Sequence, residues 1–332
     1  MYKIIIAGCG AMSGAWIEPL IKRDDCVIVG LVDINKHNAI DKKEKYNLNA
    51  NTYTSLSDAI GSEKADIVID ITPPQFHKQV VTEALRAGLH VFGEKPISDN
   101  LTDAELMVQC AESTGKEYFV MQNYRYNPYI RAFRDFIASG IPGVLGRISA
   151  DFHIGIHFGG FRDEMPSPLI SDMAIHTFDA ARYISGNNME SVYCHEFNPA
   201  WSWYKGNAGA NCIFEMSGGV VFDYRGSWCE KGFNTGWNSV WRASCENGTI
   251  TWDGKENLLY QEKLLYEDEG RKAEIPVTPM NITNAHEACI DDMFTALQNG
   301  TRPQTDCRDN IHSIRMVYKS IESAKSKSRI TI

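Results

Sequence analysis

The hydrophobic positions of the chain fall into two regimes. Up to about residue 122, short apolar runs alternate with stretches whose apolar residues recur three and four apart. Tyr2 to Ala7, Cys26 to Asp33, Ile67 to Ile71, His90 to Gly93 and Tyr118 to Gln122 are rich in β-branched residues and predict buried strands. Between them, Trp16, Ile17 and Leu20 fall at helical spacing, and Lys36 to Tyr46 reads as a polar, exposed helix. Gln75 to Ala87 predicts a helix with Val80, Val81, Ala84 and Leu85 inward and Gly88 as its stop; Leu101 to Thr114 predicts another. Strands and helices in alternation, with short links, mean an α/β fold: a doubly wound parallel sheet with helices on both faces. Ligands bind at the carboxyl ends of such strands, so the loops at Gly8, Asp33, Thr72, Glu94 and Gln122 are expected to face one crevice.

Beyond Gln122 the pattern changes. Pro128 starts a predicted helix, with Ile130, Phe133, Phe136 and Ile137 buried, and Gly140 ends it. Arg147 to Phe158 alternates, with Ile148, Ala150, Phe152, Ile154, Ile156 and Phe158 on one face, the pattern of a half-exposed antiparallel strand. His153 and His157 lie on its other face. Four residues apart on a strand is about 13 Å, so they cannot share a metal ion and either line a cleft or form the wet face. Ile175, Phe178, Ala181 and Ile184 give the next helix its apolar stripe. Residues 192 to 260 predict hairpins, Asn211 to Met216 with Val220 to Trp228, and Trp241 to Cys245 with Thr249 to Trp252. Trp201, Trp203, Trp228, Trp237, Trp241 and Trp252 gather here; aromatic faces suit sugar rings, and equally a sheet packed on another subunit. Gln261 to Ala273 is charged and expected as a loop, and Ala285 to Leu297 and Ile311 to Ile321 close the chain as amphipathic helices. The division expected is 1–122 for nucleotide binding and 123–332 for substrate binding and oligomerisation.

Composition sharpens this. A chain of 332 residues with 43% hydrophobic residues accommodates two cores. Its net charge of −9 argues against nucleic acid, and the basic run Lys325 to Arg329 is expected to be a solvated tail. No apolar segment approaches about 20 residues, so no membrane span is expected. Met1 leads directly into a strand without a signal-peptide pattern, and a cytoplasmic location is expected. The nine cysteines form no C-x-x-C pair and read as buried reduced thiols, with no zinc site.

The candidate chemistry begins at Gly8-Cys9-Gly10-Ala11-Met12-Ser13-Gly14. A glycine turn between a strand and a helix presents backbone N–H groups and a helix dipole to a phosphate. Asp33 ends the second strand about 20 residues later, where an acid accepts hydrogen bonds from the adenosine ribose. With Ile34 beside it, that carboxylate favours NAD over NADP, since it repels a 2′-phosphate; the bland alternative is a strand-end helix cap. Ser13 occupies the third glycine slot, which predicts an altered turn. Glu94-Lys95-Pro96 sits at another strand end, where a partly desolvated lysine stabilises alkoxide character as hydride leaves; Lys95-Pro96 is a candidate cis bond. Asp172 and His176, four apart, share a helix face, and Asp179 flanks it: either an acid–base pair or a surface ion pair.

Together these segments resemble the glucose–fructose oxidoreductase, inositol dehydrogenase and MocA-like oxidoreductases over nearly the whole length. The resemblance rests on Gly8-x-Gly10, Thr72-Pro73-Pro74-x-x-His77, Glu94-Lys95-Pro96, Asn123-Tyr124-Arg125-Tyr126-Asn127-Pro128, Asp172-x-x-x-His176 and Asp309 with the final helix. It implies a Rossmann domain followed by an α/β domain with a large, mostly antiparallel open sheet that forms a homo-oligomer interface. It implies that Lys95 and His176 contact the reacting hydroxyl with Asp172 assisting, and that Pro73, His77 and Glu94 border the cofactor. The expected NAD contacts are Gly8, Gly10, Ala11, Met12, Asp33, Ile34, Thr72, Pro73, His77, Glu94, Lys95 and Gln122. The expected substrate contacts are Lys95, Asn123, Tyr124, Arg125, His153, Arg162, Asp172 and His176. Ser167-Pro168 and Ala174 stand where the family usually has glycines, so the loop entering that helix is altered. The implied activity is oxidation of a secondary hydroxyl of a sugar, cyclitol or glycoside, with C3 of a pyranose as the candidate position. The alternatives are the reverse reduction of a carbonyl and a non-catalytic NAD sensor.

Overall fold

The computed structural model describes residues 1–263, 270–279 and 284–332. The chain divides into two compact units: Met1–Asn123 with Ile282–Ile311, and Tyr124–Asn281 with His312–Ile332. The return of the residues around 284–311 to the first unit was not legible in the hydrophobic pattern, which places the single division at 122/123.

In the first unit the elements are β1 (Tyr2–Ala7), α1 (Ser13–Leu20), β2 (Cys26–Val32), α2 (Lys36–Lys45), β3 (Asn51–Tyr53), α3 (Leu56–Ser62), β4 (Ile67–Asp70), α4 (Pro74–Arg86), β5 (His90–Gly93), α5 (Leu101–Thr114) and β6 (Tyr118–Val120). The sheet order is β3-β2-β1-β4-β5-β6, with every neighbouring pair parallel. β1 lies between β2 and β4, and Ile4, Ile5 and Ile6, whose side chains alternate between the two faces of the sheet, are all fully buried, which is why that run carries no polar alternation. β3 and α3 were missed because Asn51–Tyr53 is a short polar edge strand with no apolar run. Ser55 marks the start of α3, accepting the amide of Asp58. Gly8 is the position where only glycine serves: its φ is +96°, and a Cβ there would stand 2.6 Å from the Ile71 carbonyl carbon. Gly14, one place beyond the usual slot, admits the Tyr46 hydroxyl, which would lie 2.8 Å from a Cβ.

The second unit contains α6 (Pro128–Ala138), β7 (Leu145–His153), a π-helical turn (Leu169–Ala174), α7 (Ile175–Ser185), β8 (Met189–Phe197), β9 (Gly209–Met216), β10 (Val221–Ser227), β11 (Val240–Cys245), β12 (Gly248–Trp252), β13 (Leu258–Glu262) and β14 (Lys272–Glu274). The chain then gives α8 (Ala285–Asn299) to the first unit, and ends with α9 (Cys307–Ser326) and β15 (Ile330–Thr331). Among the described residues the sheet order is β14-β13-β12-β11-β7-β10-β9-β8-β15; only the β7–β10 pair is parallel.

Register explains the two faces of this sheet. Cys194, Cys212, Tyr224, Ala150, Trp241, Trp252 and Leu258 stand directly opposite one another across seven strands, and all are buried. The row one residue away, through Tyr193, Ile213, Asp223, Ser149, Arg242, Thr251 and Leu259, points the other way, and Tyr193, Ile213 and Leu259 are exposed. α7 lies on the buried face, with Phe178 meeting Phe214, Phe222 and Tyr224 edge-on.

Several expectations are corrected here. Trp228, Trp241 and Trp252 are core residues, available neither to a sugar nor to a subunit; Trp201 and Trp237 remain exposed. The strand expected through Phe158 ends at His153. Past it Gly155 lies against the Glu230 carbonyl, where a Cβ would come within 2.2 Å, and Ile156 and Phe158 turn outward. The expected loop from Gln261 to Ala273 has Gln261 paired with Lys272 across β13 and β14; its residues 264–269 lie outside the described residues. The basic run Lys325 to Arg329 is exposed as expected; past it Ile330 and Thr331 add a strand beside β8, and Arg329 pairs with Glu215. All nine cysteines are free thiols, buried except for the half-buried Cys245.

Asp179 was expected on the chemical face of its helix, and Arg125 among the substrate contacts. They instead form a buried fork, Arg125 Nε and Nη2 each donating to Asp179 at 2.7 Å, with the Ser313 hydroxyl donating to the same carboxylate. Arg182 approaches it at 3.6 Å. Breaking one side of such a pair strands a buried charge. Asp179→Asn should therefore lower the stability of the second unit by about 3–5 kcal/mol in a denaturant titration, a loss far larger than that of an exposed pair.

Candidate active site

In the first unit, the geometry at the sheet's carboxyl edge follows from the strand ends. Gly10, Ala11 and Met12 are exposed at the start of α1, whose N-cap residue Met12 offers no side-chain cap. The Ser13 and Ala15 amides bond back to the Gly10 and Met12 carbonyls, and no side chain covers the turn, a geometry that suits a phosphate. Ser13, buried in the third glycine slot, donates its hydroxyl to the Gly10 carbonyl at 2.7 Å and closes the altered turn. Asp33 takes the Cys9 amide on Oδ2 at 2.9 Å, and the Asn35 amide and Asn38 side chain on Oδ1, which fixes the carboxylate while leaving acceptor capacity on Oδ2. Ile34 beside it is 90% exposed, an apolar surface with no core to join. An exposed turn, a fixed carboxylate and an exposed apolar neighbour fit a dinucleotide.

Thr72 and Pro73 follow β4. Asp70 Oδ1 accepts both the amide and the hydroxyl of Thr72, at 3.0 and 2.6 Å. Burial pushes the Asp70 carboxyl up, and the charge of His77 opposes it. Glu94 follows β5 and turns back into the unit. Its Oε1 accepts the Trp16 indole N–H at 2.8 Å and lies 3.7 Å from His286 of α8, and its Oε2 accepts the Lys95 amide. Burial pushes the Glu94 carboxyl up, but His286, the Trp16 hydrogen bond and the Lys95 charge together hold it below the usual range. Lys95 is half-buried, and its bond to Pro96 is cis. Gln122 departs from its four strand-end companions: it is buried, and Asn310 of α9 approaches its Oε1 at 3.4 Å. The edge of β6 beside it is closed by a bridge from Phe119 to Asp306. Trp16 and His286 were not anticipated. The apolar spacing marked Trp16 only as core, and nothing in the pattern links His286 to a strand end.

In the second unit, His176 opens α7, buried, with its ring stacked on Tyr124 at 4.3 Å and 21°. The Tyr124 hydroxyl donates to the Trp237 carbonyl at 3.1 Å, and burial raises its pKa to about 12. Asp172 lies in the π-helical turn, so the single α-helix expected through Asp172 and His176 begins only at Ile175. Ser171 donates amide and hydroxyl to the Ser167 carbonyl where this turn begins. Arg162 Nε donates to Asp172 Oδ2 at 2.7 Å, and its guanidinium lies over Phe161 at 4.7 Å. His153 pairs with Glu230 at 3.0 Å and His157 with Asp163 at 2.9 Å. Asn123 opens a 3₁₀ turn at the end of the first unit's N-terminal part.

The family model described as an oxidoreductase family with an NAD-binding Rossmann fold matches residues 2–122. A second, for the GFO/IDH/MocA C-terminal domain, matches residues 130–251. The chain is 28% identical to myo-inositol 2-dehydrogenase of Thermotoga maritima over 203 residues, 58% of this chain and 57% of that protein. It is 21% identical to 1,5-anhydro-D-fructose reductase of Ensifer adhaerens, covering 96% of this chain and 95% of that one. Among solved structures, an oxidoreductase of Agrobacterium radiobacter in complex with NAD+, L-tartaric acid and magnesium matches with a TM-score of 0.89 and 19% identity, over 99% of this chain and 98% of that one, a likeness of fold.

Glu196 supports the approach to the π-helical turn by accepting the Ser167 hydroxyl at 3.0 Å, and burial pushes its carboxyl up to about 7. The folded state therefore holds this proton between the ordinary carboxyl range and about pH 7, where the unfolded chain has lost it, so this group makes stability fall as pH rises through that window. Thermal melts at pH 5 and pH 8 should show Glu196→Gln more stable than wild type at pH 8 and nearly matched at pH 5.

Proposed function

The chain belongs to the glucose–fructose oxidoreductase, inositol dehydrogenase and MocA family of oxidoreductases, and on that footing we propose that it is an NAD-dependent dehydrogenase oxidising a secondary hydroxyl of a sugar, cyclitol or glycoside to the ketone, with C3 of a pyranose as the candidate position. NAD, when bound, supplies the hydride acceptor. Gly8, Gly10, Ala11 and Met12 carry its phosphates at the start of α1, and Asp33 takes the ribose hydroxyls and repels a 2′-phosphate.

The observation that carries the reading is the state of His176. A buried imidazole is held face-on by Tyr124, four residues from a carboxylate that Arg162 keeps in place. Such a ring has a fixed direction in which to take a proton. His176 removes the hydroxyl proton, Asp172 supports the charged ring, and Lys95 hydrogen-bonds the oxygen and stabilises its alkoxide character. His153, Arg162 and Asn123 remain substrate contacts in this reading. Likeness to a reductase favours a second direction, in which the same groups return a proton to a carbonyl oxygen. The outward row of Tyr193, Ile213 and Leu259 supports self-association through the nine-stranded sheet.

The test mixes the protein with NAD and a panel of sugars, cyclitols and glycosides and follows absorbance at 340 nm. At least one substrate should give a rise, and Lys95→Ala should cut that rate by about 10²–10³-fold while NAD affinity, by calorimetry, stays within about threefold. Clear NAD binding with a flat trace across a wide panel would favour a nucleotide sensor instead.

A further inference from the structure

We propose that His77 is a positioning residue: its imidazole clasps the turn after β4 to the turn after β5 and so sets the place of Lys95. His77 sits in the first turn of α4 and is 1% exposed. Its Nε2 lies 2.7 Å from the Thr72 carbonyl oxygen. Its Nδ1 lies 3.0 Å from the Pro96 carbonyl oxygen and 3.2 Å from that of Ile97. Every one of these neighbours is an acceptor, so the ring acts toward all of them only as a donor. A neutral ring has one N–H and ties one turn; a doubly protonated ring ties both.

The placement leaves no ring nitrogen for a bound nucleotide, so His77 reaches the cofactor only through the main chain it holds. Thr72 is fixed from its other side by Asp70 Oδ1, which accepts its amide and hydroxyl. Gly8 packs against the Ile71 carbonyl, so the glycine turn, the Thr72 turn and the Lys95 turn form one bracket, with His77 as the side chain joining the last two. Apolar shape alone would fill the space but would leave buried carbonyls without donors and the Lys95 turn untied. A displacement of about 1 Å in a positioning element is enough to cost about 10²-fold in rate. The effect on turnover rests on the function proposed above; the clasp itself does not.

The test compares full-length wild type, His77→Leu and His77→Gln, each saturated with NAD, by backbone hydrogen exchange. In His77→Leu, exchange across residues 94–98 should rise about tenfold or more, while β1 and β4 keep their wild-type rates. His77→Gln retains an amide donor and should recover most of that protection. On the substrate found in the panel, kcat of the leucine variant should fall about 10–100-fold with KM within about threefold, and the glutamine variant should lie between. Wild-type exchange at 94–98 in the leucine variant overturns the clasp. So does a rise shared equally by the whole six-stranded sheet, which marks His77 as core filler. Where the leucine variant does not fold, His77→Asn, too short to span both turns, gives the same two outcomes. A wild type that turns over no substrate defeats the proposed function while the exchange result still decides the clasp.

Discussion

The first unit depends on how closely its first turn can approach the end of β4. Gly8 lies against the Ile71 carbonyl with no room for a methyl group. That contact lets the amide turn at Gly10 to Met12 stand at the same edge as Asp33, Thr72 and Lys95, each carried there by parallel strands in register. A side chain at position 8 would clash with main chain, which cannot rotate out of the way as a flexible side chain can. The helix start and the strand ends would then lose their common plane, and with it the arrangement that suits a dinucleotide.

Much of this was legible in the sequence because parallel strands buried on both faces are written as continuous apolar runs. β1, β2, β4 and β5 were all visible, and α5 was read with the bounds it has. What escaped depends on contacts with no local period. β3 is a polar edge strand. α8 joins the first unit through Phe294 against Tyr2 and Phe92, and through the pair of Arg23 with Asp291. Residues 285–299 look amphipathic whichever core receives them.

The site divides in the same way. Asp33, Lys95 and the Asp172–His176 pair could be singled out as candidates because strand ends and helical spacing mark residue types that carry chemistry. The roles of Arg125, Tyr124 and His77 were not, because they are set by partners far along the chain. Arg125 meets Asp179 in a buried fork, Tyr124 lies under His176, and both nitrogens of His77 meet main-chain carbonyls. The tryptophans misled for a related reason. Composition counts them, whereas register decides that Trp241 and Trp252 fall on the covered row of the sheet. The aromatic surface left over, Trp201 and Trp237 among it, is smaller than the tally suggests.

The buried carboxylate of Asp179 also has a meaning for how the protein is made. It receives Arg125, just after the chain enters the second unit, and Ser313, from α9. The Cys194 amide likewise donates to Ser323, and β8 gains its outer neighbour only when β15 exists. The first unit in turn lacks α8 until late. During synthesis from the N-terminus, then, neither unit is complete when the chain leaves it for the first time. The nascent chain carries a charged, half-satisfied centre and an open edge on β8 until Ser313 and β15 emerge. Both units are finished by the same stretch, residues 285–331, and a nascent chain that stops short of it has neither unit whole.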